Sequence, residues 1–518
     1  MGKVSGEVVG TELVLRIESL FHQIVGPGGE HFPMFGSIVG IAFYGSNGSR
    51  KNQHVSTLLN RHIASVNLSV GKRIGTQIMG GEGLGPFAAF TIMEDTVHHA
   101  FLQFRIIDQI EGSRGVGQVH RIDTAVTVVF LRQPQKVTVG SFHQLVGGNL
   151  KYKYNGKTYN FNGDLIKDYD KMISAFSAKG IVVTAILLNG WNDSYPELHE
   201  AGLAKRKEAF YYGFNVSTEQ GYETTRALLS FMAERYSGAH DDYGRVSNWI
   251  VGNEINNNLN WNYTGPMDID SYTKLYSKVF RVAYTAIKSQ SRNARVFFST
   301  DYEWKRANSN LMYGAKDFID RFNADIRDEG NIEWGLAYHP YPHPMTEPEF
   351  WDDDQTGAVN NTEDSPVVNF KNLNVLTDYF QKDIMRDAGG NVRHIILSEE
   401  GFTSKSATRG DVYDIQAAAF AYSYYIVDSN PYIDAYILSR QVDAPSEVRA
   451  GLSFGLWSCD MNQGNEIVAV KDRKLWRVFH DIDQKRYTLE TSNFAKSIIG
   501  INKWSDVIPN FRWKSLEQ

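Results

Sequence analysis

From about residue 181 onward, short runs too apolar to have a solvent face alternate with amphipathic segments, and this alternation restricts the fold more than any other feature. The apolar runs cover residues 181–188, 247–253, 294–300, 332–338, 392–398 and 433–438. Helical apolar spacing covers 164–178, 218–236, 270–289, 316–327, 372–387, 414–427 and 473–482. Lys179-Gly180 and Gly389-Gly390 are glycine stops for two of these helices. Buried strands alternating with helices predict a parallel sheet, and six such units predict most of an α/β, (β/α)8 TIM-type barrel with long βα loops. Two further strands must come from the first 180 residues. Segments 125–131 and 37–43 are the best candidates, and neither sits at comfortable spacing from the 164–178 helix.

Composition divides the chain near Gly147-Gly148-Asn149. Every Trp lies at or after Trp191, Tyr44 is the sole Tyr before Tyr152, and 8 of the 14 His precede residue 150. We therefore expect a barrel domain over residues 150–518 and a segment of uncertain structure over 1–149. That segment supplies the first strands, forms a separate domain, or is a disordered or mistranslated leader. A net charge of -6 gives no basic footprint for nucleic acid. The single Cys459 excludes an intrachain disulfide framework and a cysteine-based zinc site. No apolar run is long enough to span a membrane. The start of the chain lacks a signal-peptide apolar core and misses the myristoylation pattern. The compartment is thus left open: extracytoplasmic or secreted if the N-terminus is not native, cytoplasmic otherwise. Oligomeric state is not legible.

Ionised groups are costly to desolvate, so charges at the ends of buried strands point to a task. One run ends in Asn253-Glu254 and another in Glu399-Glu400-Gly401. Two carboxylates at one barrel mouth are the minimum apparatus for cleaving a glycosidic bond: an acid protonates the leaving oxygen while a carboxylate attacks the sugar carbon. Glu254 is the candidate acid/base and Glu399 the candidate nucleophile. The acid must hold its proton near neutral pH, and Trp249, Trp261 and Tyr263 are placed to supply an apolar setting. The bland alternative is a pair of ordinary ion-pair partners. Only one of Glu399 and Glu400 can face the site if both continue a strand.

Asn-Glu after one strand, with Glu-x-Gly three strands later, resembles the clan A glycoside hydrolases. The stretches from Trp249 to Glu254, Ala337 to Pro342 and Leu397 to Phe402 are similar to an uncharacterised bacterial domain family near that clan, over roughly residues 150–485. The resemblance implies carboxylates on the fourth and seventh barrel strands and a retaining mechanism. It implies Glu399, not Glu400, as nucleophile, and an Asn253 hydrogen bond to the sugar 2-hydroxyl. No cofactor is needed, and the partner is an oligo- or polysaccharide substrate.

Other strand-end residues have two readings each. Asn253 binds sugar or caps a loop. His339 and Tyr341 close their strand, where a group can hydrogen-bond the nucleophile and keep it ionised; the alternative for His339 is a satisfied buried histidine beside two prolines. Asp301 and Arg440 bind sugar hydroxyls, with an acidic sugar also open to Arg440, or they form ion pairs across the mouth. Asn189 stands at the start of a long loop. Trp191, Trp261, Trp304, Trp351 and Trp457 lie in loops or insertions, where one or two stack on sugar faces and the rest pack the loops. Asp352-Asp353-Asp354 and His98-His99 lack the partners of a metal site. The Gly80 to Pro86 segment misses the dinucleotide fingerprint, and no phosphate loop or nucleophile elbow occurs. A catalytically silent carbohydrate-binding barrel is the rival to the enzyme, and a lyase or transglycosylase using the same carboxylates is a third reading.

Overall fold

The computed structural model describes residues 145–178, 181–483 and 489–511, together with five strands earlier in the chain. These are β1 (Ser5–Val9), β2 (Glu12–Arg16), β3 (Ile41–Tyr44), β4 (Ala100–Phe104) and β5 (Ala125–Phe130). The first three form an antiparallel sheet of their own, so the strand expected at 37–43 pairs there and not in the barrel. The Gly80 to Pro86 segment, His98-His99 and the Lys179-Gly180 helix stop lie outside the described residues.

Next come β6 (Val146–Tyr154) and β7 (Lys157–Phe161), an antiparallel hairpin. Its turn is Asn155-Gly156, with φ of 46° and 76°. Positive φ at both central residues is what a type I′ turn requires, and Asn-Gly is its preferred sequence. This hairpin, not a barrel strand, precedes the first helix.

The regular series follows: α1 (Gly163–Ser177), β8 (Val182–Leu187), α2 (Glu219–Arg235), β9 (Asn248–Val251), α3 (Ile269–Gln290), β10 (Arg295–Thr300), α4 (Ala315–Asp328), β11 (Gly335–Tyr338), α5 (Leu373–Phe380) and β12 (Ile395–Glu400). A short hairpin, β13 (Lys405–Ser406) and β14 (Gly410–Asp411), leads to α6 (Tyr413–Asp428) and β15 (Ala435–Leu438). The chain ends through α7 (Pro445–Arg449), β16 (Trp457–Cys459), β17 (Ala469–Asp472), α8 (Lys474–Asp481) and α9 (Asn493–Ile499). Side chains of Asn162, Thr218 and Asp268 accept backbone N–H bonds at the starts of α1, α2 and α3, satisfying donors that a helix leaves open. Helix α5 stops at Phe380, short of the expected 387. Beyond it, side chains take the carbonyls: Asn323 donates to Ile384 O and Arg393 to Met385 O.

Strands β8, β9, β10, β11, β12 and β15 are parallel neighbours in that order. Strand β5 adds in parallel beside β8, with Ala125 opposite Val182, and β4 adds antiparallel beyond it. Strand β15 approaches β4 and β5, so the sheet curls round on itself into a TIM-type barrel with long βα loops. One departure from an all-parallel barrel is β4.

Alternation along the strands builds two cores. Ile186, Leu188, Ile250, Phe297, Ala337, Ile396, Ala435 and Ile437 pack together inside the barrel. Their neighbours, such as Ala185, Leu187, Trp249, Val251, Leu336 and Leu397, face the helices. Gly335 shows how tight the interior is: a Cβ there would sit 2.4 Å from the Phe297 ring.

Candidate active site

Parallel strands place all their C-terminal ends on one side, so residues that follow β9, β10, β11, β12 and β15 meet at one mouth. Glu254 follows β9 by three residues. Ser299 of β10 clamps this turn: its hydroxyl accepts the Glu254 N–H at 2.8 Å and donates to Gly252 O at 3.2 Å, while its carbonyl accepts the Ile255 N–H. The clamp holds Glu254 at φ 37°, a left-handed backbone that non-glycine residues seldom adopt.

His339, just past β11, joins the two candidate carboxylate positions. Its Nδ1 lies 2.9 Å from Glu254 Oε1, and its Nε2 lies 3.0 Å from Ser398 Oγ, next to Glu399. Burial raises the Glu254 pKa, the His339 contact opposes this, and the charges of Glu399 and Glu303 add to the rise. For His339, burial acts to lower the pKa, yet the Glu254 contact and the surrounding carboxylates outweigh it and the net shift is upward. Both shifts are towards the protonated form.

Strand β12 runs through Glu399 and Glu400. Its register with β15 shifts between Leu397 and Glu400. This bulge breaks the strict alternation that would follow from inward Ile396, and bulges commonly re-aim a side chain beside a site. Tyr341 donates its hydroxyl to Glu399 Oε1 at 3.0 Å. Burial first, then the Glu399 charge, holds the Tyr341 pKa well above the usual range, so it stays a donor. Glu400 is fully buried, and neither carboxyl oxygen has a hydrogen-bond partner among the described residues. Burial and the Glu399 charge push its pKa well up; the nearby Ile437 amide counteracts this only partly and is not within hydrogen-bond geometry.

Other expected residues distribute unequally. Asn253 is buried beside Glu254, and its Oδ1 lacks a partner among the described residues. Asp301 is buried, accepting from Asn256 Nδ2 at 2.8 Å and the Glu303 N–H at 3.0 Å. Burial and the Glu254 charge raise its pKa well above the carboxylate range. Arg440 pairs with Glu447. Asn189 donates to Leu198 O and Gly213 O, tying together the loop after β8. Trp191 stacks on His199 at 4.5 Å in that same loop. Trp457 packs 4.5 Å from Trp476 in the β16 region, Trp304 is fully buried, and Trp351 packs on Phe350 and Tyr422. Trp261 is partly exposed over the barrel interior, stacked on Tyr211.

Sequence reasoning passed over several participants. Ser398 lies inside an already quoted stretch and Asn256 two residues beyond one, with no pattern to mark them. Glu303 lies two residues past Asp301, and Arg306 grips it with two nitrogens. Glu447 sits on α7, and Glu399 is among the charges acting on it.

Among solved structures, the chain is similar to a family 39 glycoside hydrolase from the gut symbiont Bacteroides cellulosilyticus WH2, with 15% identity and a TM-score of 0.40, covering 69% of this chain and 56% of that one. It is also similar to a family 1 β-glucosidase from Thermotoga maritima, with 11% identity and a TM-score of 0.38, covering 64% and 79%. A third is the Bacteroides uniformis β-glucuronidase, with 10% identity and a TM-score of 0.35, covering 63% and 30%. The chain thus spans just over half the length of the first of these, and likeness at such identities carries no information on substrate. No curated protein sequence matches. The sequence profile of a family of unknown function, DUF5722, matches residues 125–507, and the chain belongs to that family.

Proposed function

We propose that this protein is a glycoside hydrolase that cleaves O-glycosidic bonds of an oligo- or polysaccharide with retention, using Glu254 as acid/base and Glu399 as nucleophile. The observation that carries this reading is the different company of the two carboxyls at one barrel mouth. Glu254 is partly buried against His339 with its pKa raised, which suits a proton donor. Glu399 receives the Tyr341 hydroxyl, which suits a group that must be ionised to attack.

In this mechanism Glu254 protonates the leaving oxygen while Glu399 attacks the sugar carbon, giving a glycosyl–enzyme ester. Glu254 then deprotonates a water that hydrolyses the ester. Asn253, with its free oxygen beside the acid, is placed to accept from a sugar hydroxyl. Trp261, partly exposed over the barrel interior with Tyr211 stacked on it, is the candidate aromatic platform for a sugar.

The test is a panel of aryl glycosides and oligosaccharides of both anomers, followed by trapping with the matching 2-deoxy-2-fluoro glycoside. Mass addition on a peptide carrying Glu399, with loss of turnover in Glu399→Gln, is the expected result. Addition on Glu400, or inversion at the product anomeric carbon, rejects the assignment. Sugar binding without turnover by the unaltered chain leaves a carbohydrate-binding barrel.

A further inference from the structure

On β10, β11 and β12 the last inward-facing layer below the carboxyls is polar. Ala337 and Ile396 face the barrel interior and pair in register, and the next pair, Tyr338 and Leu397, faces the helices. One step on, alternation turns His339 and Ser398 inward side by side. Ser299 joins them by the same count from inward Phe297 and outward Phe298. Ser299 holds the Glu254 backbone directly, whereas Ser398 reaches the Glu254 carboxyl through His339.

The direction of both His339 bonds follows from the buried hydroxyl. Ser398 is 3% exposed, and His339 Nε2, at 3.0 Å, is the one hydrogen-bond partner of its hydroxyl among the described residues. A buried hydroxyl hydrogen needs an acceptor. If Nε2 carried a hydrogen, the hydroxyl would have to accept it, and its own hydrogen would face nothing. With the hydroxyl donating to Nε2, every hydrogen is matched. The imidazole is then neutral with its hydrogen on Nδ1, which donates to Glu254 Oε1 at 2.9 Å. Burial disfavours a second proton on the imidazole, while Glu254, Glu399 and Asp301 favour it. Such a proton would enter at Nε2 and orphan the hydroxyl hydrogen, so Ser398 opposes it.

Resting on the glycosidase reading, we infer that Ser398 is a positioning residue for the acid/base: by donating to His339 Nε2 it fixes the tautomer that donates to Glu254 Oε1, and so reserves Oε2 for the reacting proton. That proton passes from Oε2 to the leaving oxygen, which keeps the electron pair of the broken bond. Glu254 becomes a carboxylate, and Oε1 still accepts from Nδ1, so the imidazole neither gains nor loses a proton. Without the hydroxyl, the imidazole is free to carry its hydrogen on Nε2. Its Nδ1 lone pair then draws the acid proton onto Oε1, away from the substrate.

The test compares kcat/KM of the full chain on the phenyl and dinitrophenyl glycosides of whichever sugar the substrate panel identifies. Phenoxide needs a proton to leave, and dinitrophenoxide leaves without one. Ser398→Ala is expected to lower the phenyl-to-dinitrophenyl ratio of kcat/KM at least about tenfold. A loss of packing alone would lower both substrates alike, and that result, or an unchanged ratio, overturns the inference. Nitrogen NMR of the unaltered chain labelled at histidine, with His339→Asn to assign the signals, reads the tautomer without turnover. It is recorded at the activity optimum or, without activity, at about pH 7. A hydrogen on Nδ1 alone is expected. A hydrogen on Nε2, in the other tautomer or in an imidazolium, overturns the inference. No cleavage of any glycoside, with the hydrogen on Nδ1, rejects the hydrolase reading and leaves the two bond directions standing.

Discussion

The imidazole of His339 lies 2.9 Å from the Glu254 carboxyl, and its other nitrogen is occupied by Ser398 at 3.0 Å. A hydrogen-bonded chain thus runs from the acid/base candidate to the residue preceding the nucleophile candidate.

That chain predicts a pH effect. A general acid works only while protonated, so activity falls as pH rises through its pKa, and burial places that limb above the ordinary carboxylate range. The His339 contact pulls the Glu254 pKa down. His339→Asn should therefore move the alkaline limb of the kcat/KM profile to higher pH, with a loss in rate at the optimum of about tenfold or more. An alkaline limb that moves to lower pH contradicts the coupling.

Tyr341→Phe removes the hydroxyl that Glu399 accepts at 3.0 Å. A hydrogen bond to a charged group contributes about 1.5–3 kcal/mol, equivalent to a fall in kcat/KM of roughly 10- to 100-fold. Thermal unfolding of the variant should stay close to that of the parent. A variant with full activity would show that Tyr341 does not support the nucleophile.

Glu400 predicts the pH dependence of stability. Its folded pKa is raised, so the folded and unfolded states are both neutral below about pH 4. Above that the unfolded chain releases the proton and the folded one does not, so stability falls as pH rises toward the folded pKa. Glu400→Gln carries no such proton. It should melt at higher temperature than the parent at pH 8 and at the same temperature near pH 4. Equal melting at both pH values would show that Glu400 is ionised in the fold.

Asp170 of α1 accepts two bonds from Arg235 of α2, at 2.7 and 2.6 Å, and a third from Tyr236 at 3.2 Å. Both partners are largely shielded. Asp170→Ala leaves the guanidinium without its carboxylate and should lower the unfolding free energy by about 3 kcal/mol in denaturant titration. Asp164→Ala, on the exposed face of the same helix, should leave it unchanged.

Much of the barrel could be read from periodicity. The six runs from 181 to 438 all became parallel neighbours because strands covered on both faces must be apolar throughout, and that leaves a continuous signature. The earlier part was harder. Strand 125–130 has the right composition, but no helix at the usual spacing marks it as a barrel member. The Asn155-Gly156 turn was the signal for the hairpin that stands before α1. In the site, strand-end position was enough to bring Glu254, His339, Tyr341 and Glu399 forward. Sequence could not show that Ser398 would hold His339, because a lone serine carries no pattern. Nor could it show that Arg440 would be matched by Glu447, since that pairing depends on how the loop after β15 folds back.

The left-handed backbone at Glu254 sets stability against chemistry at that position. A residue with a Cβ held at φ 37° is strained by about 1–3 kcal/mol, and Ser299 and the surrounding turn must offset that. Asparagine and glycine tolerate such a conformation better. Variants screened only for heat resistance would therefore tend to discard the glutamate first. Robustness and chemistry compete for the same position, and an unusually stable relative with Asn or Gly there should be expected to have given up turnover.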